Sequence, residues 1–158
     1  MSRKVSARRT ASQKAVQALY QKSFRGQNAS QVLQEFVEGW LTPDTDRLLF
    51  VRLVETAIAE QETLDQLIAP QLEEEWTMAR LDPVLLALLR VAVAELRFSP
   101  KTHAAILIHD YIDVARMFFS GQEPGFVNHT LDAIARALRP HELPGRRAPA
   151  RQVAAQDP

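Results

Sequence analysis

The stretch DPVLLALLRVAVAELRF, residues 82–98, decides the fold. Asp82 and Pro83 read as a helix N-cap and first-turn pair: the carboxylate can accept unpaired first-turn amides, and proline has no amide to lose there. Behind them Val84, Leu85, Leu86, Leu88, Leu89, Val91, Val93 and Leu96 put apolar side chains around nearly the whole circumference. A helix that is apolar on every side must be wrapped by others, so this one is expected at the centre of a bundle. Ser99 and Pro100 close it. Arg90, inside the apolar run, is expected to snorkel to the surface or to pair with a carboxylate of a neighbouring helix.

Upstream, Val16, Leu19, Tyr20 and Phe24 make one apolar stripe that stops at Gly26, and Val32, Leu33, Phe36, Val37 and Trp40 repeat it. Thr42, Pro43 and Asp44 offer a cap for a third helix, in which Phe50, Leu53, Val54, Ala57, Ile58 and Leu64 keep the helical period for about four turns. A kink or a new start is expected at Pro70. Downstream, Ala105, Ile106, Ile108, Ile112 and Ala115 mark another helix, SGQEPG a turn, and Phe126, Val127, Leu131, Ile134 and Leu138 a last helix closed by Pro140. No segment alternates with period two. The expected fold class is all-α, a compact bundle of about seven helices with no sheet. Residues 1–140 are expected to form one helical domain, and 141–158, rich in Pro, Gly, Ala and Arg, a disordered basic tail.

Several functions find no support in the residues. The chain has no cysteine, hence neither a disulfide nor a thiolate nucleophile, and a cytoplasmic setting is expected. Its longest apolar run, VLLALL, stops at Arg90, far short of the roughly 20 residues a membrane span needs. His103 and His109 fall on different helix faces, which argues against metal binding. Asp110 and Asp113 could share a face, but such an acid pair reads first as solvated surface and only second as catalytic. With no glycine-rich phosphate loop either, no enzyme and no cofactor are expected.

A formal net charge of zero hides a polar layout. Residues 3–25 carry Arg3, Lys4, Arg8, Arg9, Lys14, Lys22 and Arg25 without an acid, whereas between 31 and 80 the acids from Glu35 to Glu75 face only Arg47, Arg52 and Arg80. The basic end suits RNA phosphates, and Tyr20 offers a ring on which an unpaired base could stack. Against this, Tyr20 could be core and the arginines could merely solubilise the N-terminus.

KAVQALYQ, LDQLIAPQLEEEW, RLDPVLLALLRVAVAEL and PGFVNHTLDAIAR, in that order and at these separations, resemble the transcription antitermination factors of the NusB family over about residues 7–140. The resemblance implies an all-helical, non-enzymatic protein. Its partners would be the NusE ribosomal protein, boxA-type single-stranded RNA of ribosomal RNA leaders, and the RNA polymerase antitermination complex. It assigns RNA contact to Arg8 and Arg9 of the arginine-rich segment, to Tyr20, and to Phe126 and Asn128 of the FVN motif. Gln122 and Gly125 come in as neighbours of that motif at a helix start whose amides suit an anion. Partner binding falls on Leu85 and Leu86, where the family usually carries polar or charged residues. Other departures are Thr10 and Ser12 in place of further arginines, and His129 in place of glycine. A diverged helical interaction module that no longer reads boxA is the alternative they suggest.

Overall fold

The structure is a computed structural model that describes residues 3–143, without the side chains of residues 3–5 and 74. Seven α-helices occupy the described residues, joined by short turns, with no strand among them.

The first helix, α1 (Arg3–Arg25), ends where Gly26 takes a positive φ of 68° and the amides of Gly26 and Gln27 both donate to the Lys22 carbonyl. Only glycine enters that left-handed region cheaply, which is why the stop falls there. In α2 (Ala29–Gly39) the Asn28 side chain accepts from the Gln31 amide while the Gln31 side chain accepts from the Asn28 amide, a reciprocal capping box. The cap of α3 (Arg47–Ala59) is Asp46 and not the expected Thr42-Pro43-Asp44, which instead forms the preceding turn. The Asp46 amide donates to the Ala7 carbonyl at 3.1 Å, so the tertiary contact with α1 places the start of α3.

The apolar period running from Phe50 to Leu64 spans two helices. Glu60, at φ −108° and ψ 20°, separates α3 from α4 (Gln61–Ile68). Both put their apolar side inward, so the stripe crosses the break without showing it. A 3-10 turn at Ala69–Gln71 holds Pro70, and a second covers Glu74–Trp76.

The central helix is α5 (Pro83–Phe98), capped as expected by Asp82 with its carboxylate 2.8 Å from the Val84 amide. Residues 91–96 are buried without interruption, and α1, α3, α4, α6 and α7 all pack on it. Arg90 takes the pairing reading: its Nε and one Nη donate to the two Asp65 oxygens at 2.8 and 2.9 Å, a fork that ties α5 to α4. Beyond it lie α6 (Ala104–Phe118), capped by His103 Nδ1, and α7 (Glu123–Leu138). Glu123, Pro124 and Gly125, read from sequence as turn, are the first turn of α7, where proline is tolerated.

Arg139, 6% exposed just after α7, donates to the carbonyls of Leu96, Ser99 and Thr102 and so satisfies the C-terminal end of α5. Glu142 accepts from the Ala104 amide at 2.8 Å, so the packed fold runs past the boundary expected at residue 140. Residues 144–158, most of the expected tail, lie outside the described residues.

Candidate functional site

Three surfaces bring together the residues singled out from sequence. At the first, near the start of α1, Arg8 donates to Glu95 Oε2 at 3.0 Å and lies 3.5 Å from Asp110 Oδ2, while Arg9 reaches Asp110 at 3.2 Å and Asp113 at 3.2 Å. Glu95 is 2% exposed near the C-terminal end of α5, and its other oxygen accepts from the buried Tyr111 hydroxyl at 2.6 Å. Asp110, expected as half of a solvated acid pair, is therefore buried, because two arginines from α1 lie over it. Helix spacing located the acids on α6, but nothing local could show that α1 covers them. Arg3 and Lys4 begin the same helix, but their side chains lie outside those described.

Tyr111 belongs to this network and carries its pH dependence. Burial first, then the negative charge of Glu95, push its phenol well above the usual value near 10. As pH rises past that value the unfolded chain gives up the phenolic proton while the folded chain keeps it, so stability present below pH 10 is lost above it. In Tyr111→Phe the alkaline loss measured by urea unfolding across pH 9 to 11, roughly the range bracketing a free phenol, should be shallower than in the wild type. Equal slopes would mean that Tyr111 does not control it.

The second surface is a groove of about 500 Å³ floored by Phe36 of α2, Val84 of α5 and Phe118 of α6. Tyr20 and Phe24, one turn apart on α1, stack along it at 6.0 Å between centroids and 14° between planes. Lys14 and Arg25 lie on the same lining, and Trp40 faces them from the end of α2. Phe24 is 78% exposed and Trp40 53%, much apolar area to leave in water. Polar bonds hold the groove's backing: Glu35 accepts from Gln21, Gln27 and Trp40, bonds that, led by the one from Gln21, pull its carboxyl below its usual range.

Leu85, assigned to partner binding, is 1% exposed and packs in the core. The Asp82 cap sets the register of α5, and in that register Leu85 points inward, Leu86 is only half-buried, and Val84 reaches the groove. Sequence reading also missed the exposure of Phe24 and Trp40. Both continue apolar stripes whose earlier members, Val16 and Phe36, are buried, and the period alone does not show where the burial stops.

The third surface is a smaller cleft of about 220 Å³, where Phe126 of α7 stacks on Trp76 at 4.7 Å with Gln122, Gln71, Glu73 and His129 around them. The Trp76 contact gives Phe126 a packing role as well as a half-exposed face. Gly125 is exposed, with open space where a Cβ would stand. The helix start expected to attract an anion already carries the acid Glu123 in its first turn. Asn128 is exposed but belongs elsewhere: two residues along a helix turn about 200° from Phe126, it lines a groove with Ile108 and Ile112 of α6. The FVN motif thus divides between two faces.

The profile of the NusB family matches residues 9–136. This chain belongs to the NusB family. It is 39% identical to a transcription antitermination protein NusB of Granulibacter bethesdensis, across 93% of this chain and 98% of that one. With the NusB of Gluconobacter oxydans the identity is 40%, over 77% and 82%. Among solved structures, T. maritima NusB superposes with a TM-score of 0.70 at 29% identity, covering 81% of this chain and 90% of its own. The antitermination factors NusB and NusE in complex with dsRNA give a TM-score of 0.72, also at 29% identity, over 82% of this chain and 96% of the matched one.

In this NusB-family chain no described helix is long and apolar enough to cross a membrane, and no group of three or more His, Asp or Glu among the described residues is placed to hold a metal. The surfaces on offer are therefore an arginine-acid network, an aromatic groove with basic flanks, and an aromatic cleft.

Proposed function

We propose that this protein is a non-enzymatic transcription antitermination factor that binds boxA-type single-stranded RNA of ribosomal RNA leaders together with the NusE ribosomal protein. It would act in the cytoplasm within the RNA polymerase antitermination complex. The observation that carries the reading is the exposed Tyr20, Phe24 and Trp40 cluster at the mouth of a groove that reaches the start of α5. The relative solved with NusE and dsRNA has the same fold along most of its length. In this reading NusE takes the groove, with Val84 and Leu86 at the α5 side replacing the buried Leu85. RNA follows the basic start of α1, from Arg3 and Lys4 to Arg8 and Arg9, and the cleft of Gln122, Gly125 and Phe126. Tyr20 sits at the meeting point of the two, and Asn128 on the far side of α7 serves RNA only if the strand wraps that helix.

One observation favours the alternative of a diverged interaction module: Arg8 and Arg9 are already neutralised by Glu95, Asp110 and Asp113. Fluorescence anisotropy with a labelled boxA RNA and a scrambled control, each with and without NusE, separates the two. The expected result is a preference for boxA that NusE strengthens, with log K falling by about 0.7 per phosphate contact for each log unit of salt. Equal, weak binding of both RNAs, unaffected by NusE, would leave the interaction module as the reading.

A further inference from the structure

Asp113 sits midway along α6 with three basic side chains turned toward it. Its Oδ1 accepts from Arg116 at 3.0 Å, and its Oδ2 lies 3.2 Å from Arg9 and 3.6 Å from His109. Several charged or chargeable donors around one small anion is the arrangement that binds a phosphate, and here a carboxylate fills the anion's place. The neighbouring pair behaves differently. Arg8 is held by Glu95, which is buried in α5 and cannot leave without exposing the core. Asp113 is 23% exposed, His109 70% and Arg116 63%, against 13% for Arg9, so this cluster opens to solvent on its His109 and Arg116 side.

We propose that Asp113 is an internal stand-in for an RNA phosphate, holding Arg9, Arg116 and His109 in a receptive arrangement and competing with the transcript backbone for them. The inference rests on the RNA-binding reading and adds a control to it. An approaching phosphate meets the charge of Asp113 first and must displace it. A strand that touches only this surface gains little from the exchange. A strand already anchored elsewhere makes the exchange within one complex, where its effective concentration is high. Asp113 thereby suppresses indiscriminate binding of polyanions at the basic end of α1. Arg9 retains Asp110 when Asp113 is displaced, so α1 keeps its seat on the bundle.

The test is Asp113→Asn, which keeps the side chain's size and an acceptor oxygen while removing the charge. Labelled oligouridylate serves as the RNA probe, so that no boxA recognition is needed. Glu62→Gln, at an exposed position on α4, makes the same change in net charge elsewhere. D113N is expected to bind oligouridylate about tenfold tighter than wild type, the worth of one charge-assisted hydrogen bond, with a salt slope steeper by about 0.7. E62Q is expected to match wild type, and Arg116→Gln added to D113N to cancel the gain. An unchanged affinity in D113N, or an equal gain in E62Q, overturns the proposal.

A second measurement does not depend on RNA. Inorganic phosphate, compared with chloride at equal ionic strength, should raise the thermal midpoint of D113N and not that of wild type. Equal responses count against the site. If neither protein binds boxA or oligouridylate yet D113N alone responds to phosphate, the RNA reading fails and the anion site stands.

Discussion

Replacing Glu95 with alanine is expected to cost about 3 kcal/mol of folding stability, measured as a fall in the urea midpoint with an unchanged slope. The substitution removes the only buried acid of α5 among the described residues and strands two groups at once. Tyr111 loses the acceptor 2.6 Å from its hydroxyl, and Arg8 loses its 3.0 Å partner. Breaking a buried ion pair from one side costs about 3–5 kcal/mol because the remaining charge stays desolvated. The lower end applies here, since Arg8 is 19% exposed and keeps Asp110 at 3.5 Å. Tyr111→Phe removes the hydroxyl's hydrogen bonds to Glu95 and Ser12 but no charge, and should cost about 2 kcal/mol. If E95A were no worse than Y111F, the Arg8 pair would contribute nothing and the α1 arginines would be free for other work. The expected ordering instead makes Arg8 mainly a strut between α1 and α5.

The other large effect is expected at Phe24. Phe24→Glu should leave the thermal melt where it is, because the ring is 78% exposed and little packing is lost. Binding of NusE should fall by about 100-fold, the range of roughly 2–4 kcal/mol associated with an aromatic anchor at the centre of an interface. A charge placed beside Tyr20 and Trp40 must be desolvated when the groove closes over a partner. Isothermal titration with purified NusE reads the effect, and undiminished affinity would move the partner off this groove. Leu85 cannot serve the same purpose. At 1% exposure its replacement by glutamate would disrupt the core, and lost binding would then report lost folding.

The two experiments also separate two kinds of arginine and aromatic residue that look alike in sequence. Arg8 and Arg9 stand together in a basic run and share the buried Asp110, yet Arg8 also holds the buried Glu95 of α5 whereas Arg9 also holds the more open Asp113. Tyr20 and Phe24 continue the stripe of Val16 and Leu19, yet Val16 is fully buried and Phe24 is largely in water. Chain chemistry within a helical turn or two could not distinguish these cases, because the difference comes from the helices packed alongside.

The features legible along the chain were local and periodic. The circumferential apolar run of α5 required a central helix, Asp82 with Pro83 fixed where it begins, Gly26 fixed where α1 ends, and the absence of any period-two pattern excluded a sheet. These follow from backbone hydrogen bonding and side-chain spacing inside a few turns, and the structure shows each of them. Tertiary structure alone decided which polar groups meet. Arg90 found Asp65, Arg8 found Glu95, and Arg139 found the carbonyls at the end of α5, each across a large separation in the chain. It also set the break at Glu60 and the cap at Asp46, where packing and a contact to α1 outweighed equally plausible local signals. The difference is one of range: capping and periodicity act between neighbours along the chain, whereas burial and charge pairing depend on which helix lies opposite.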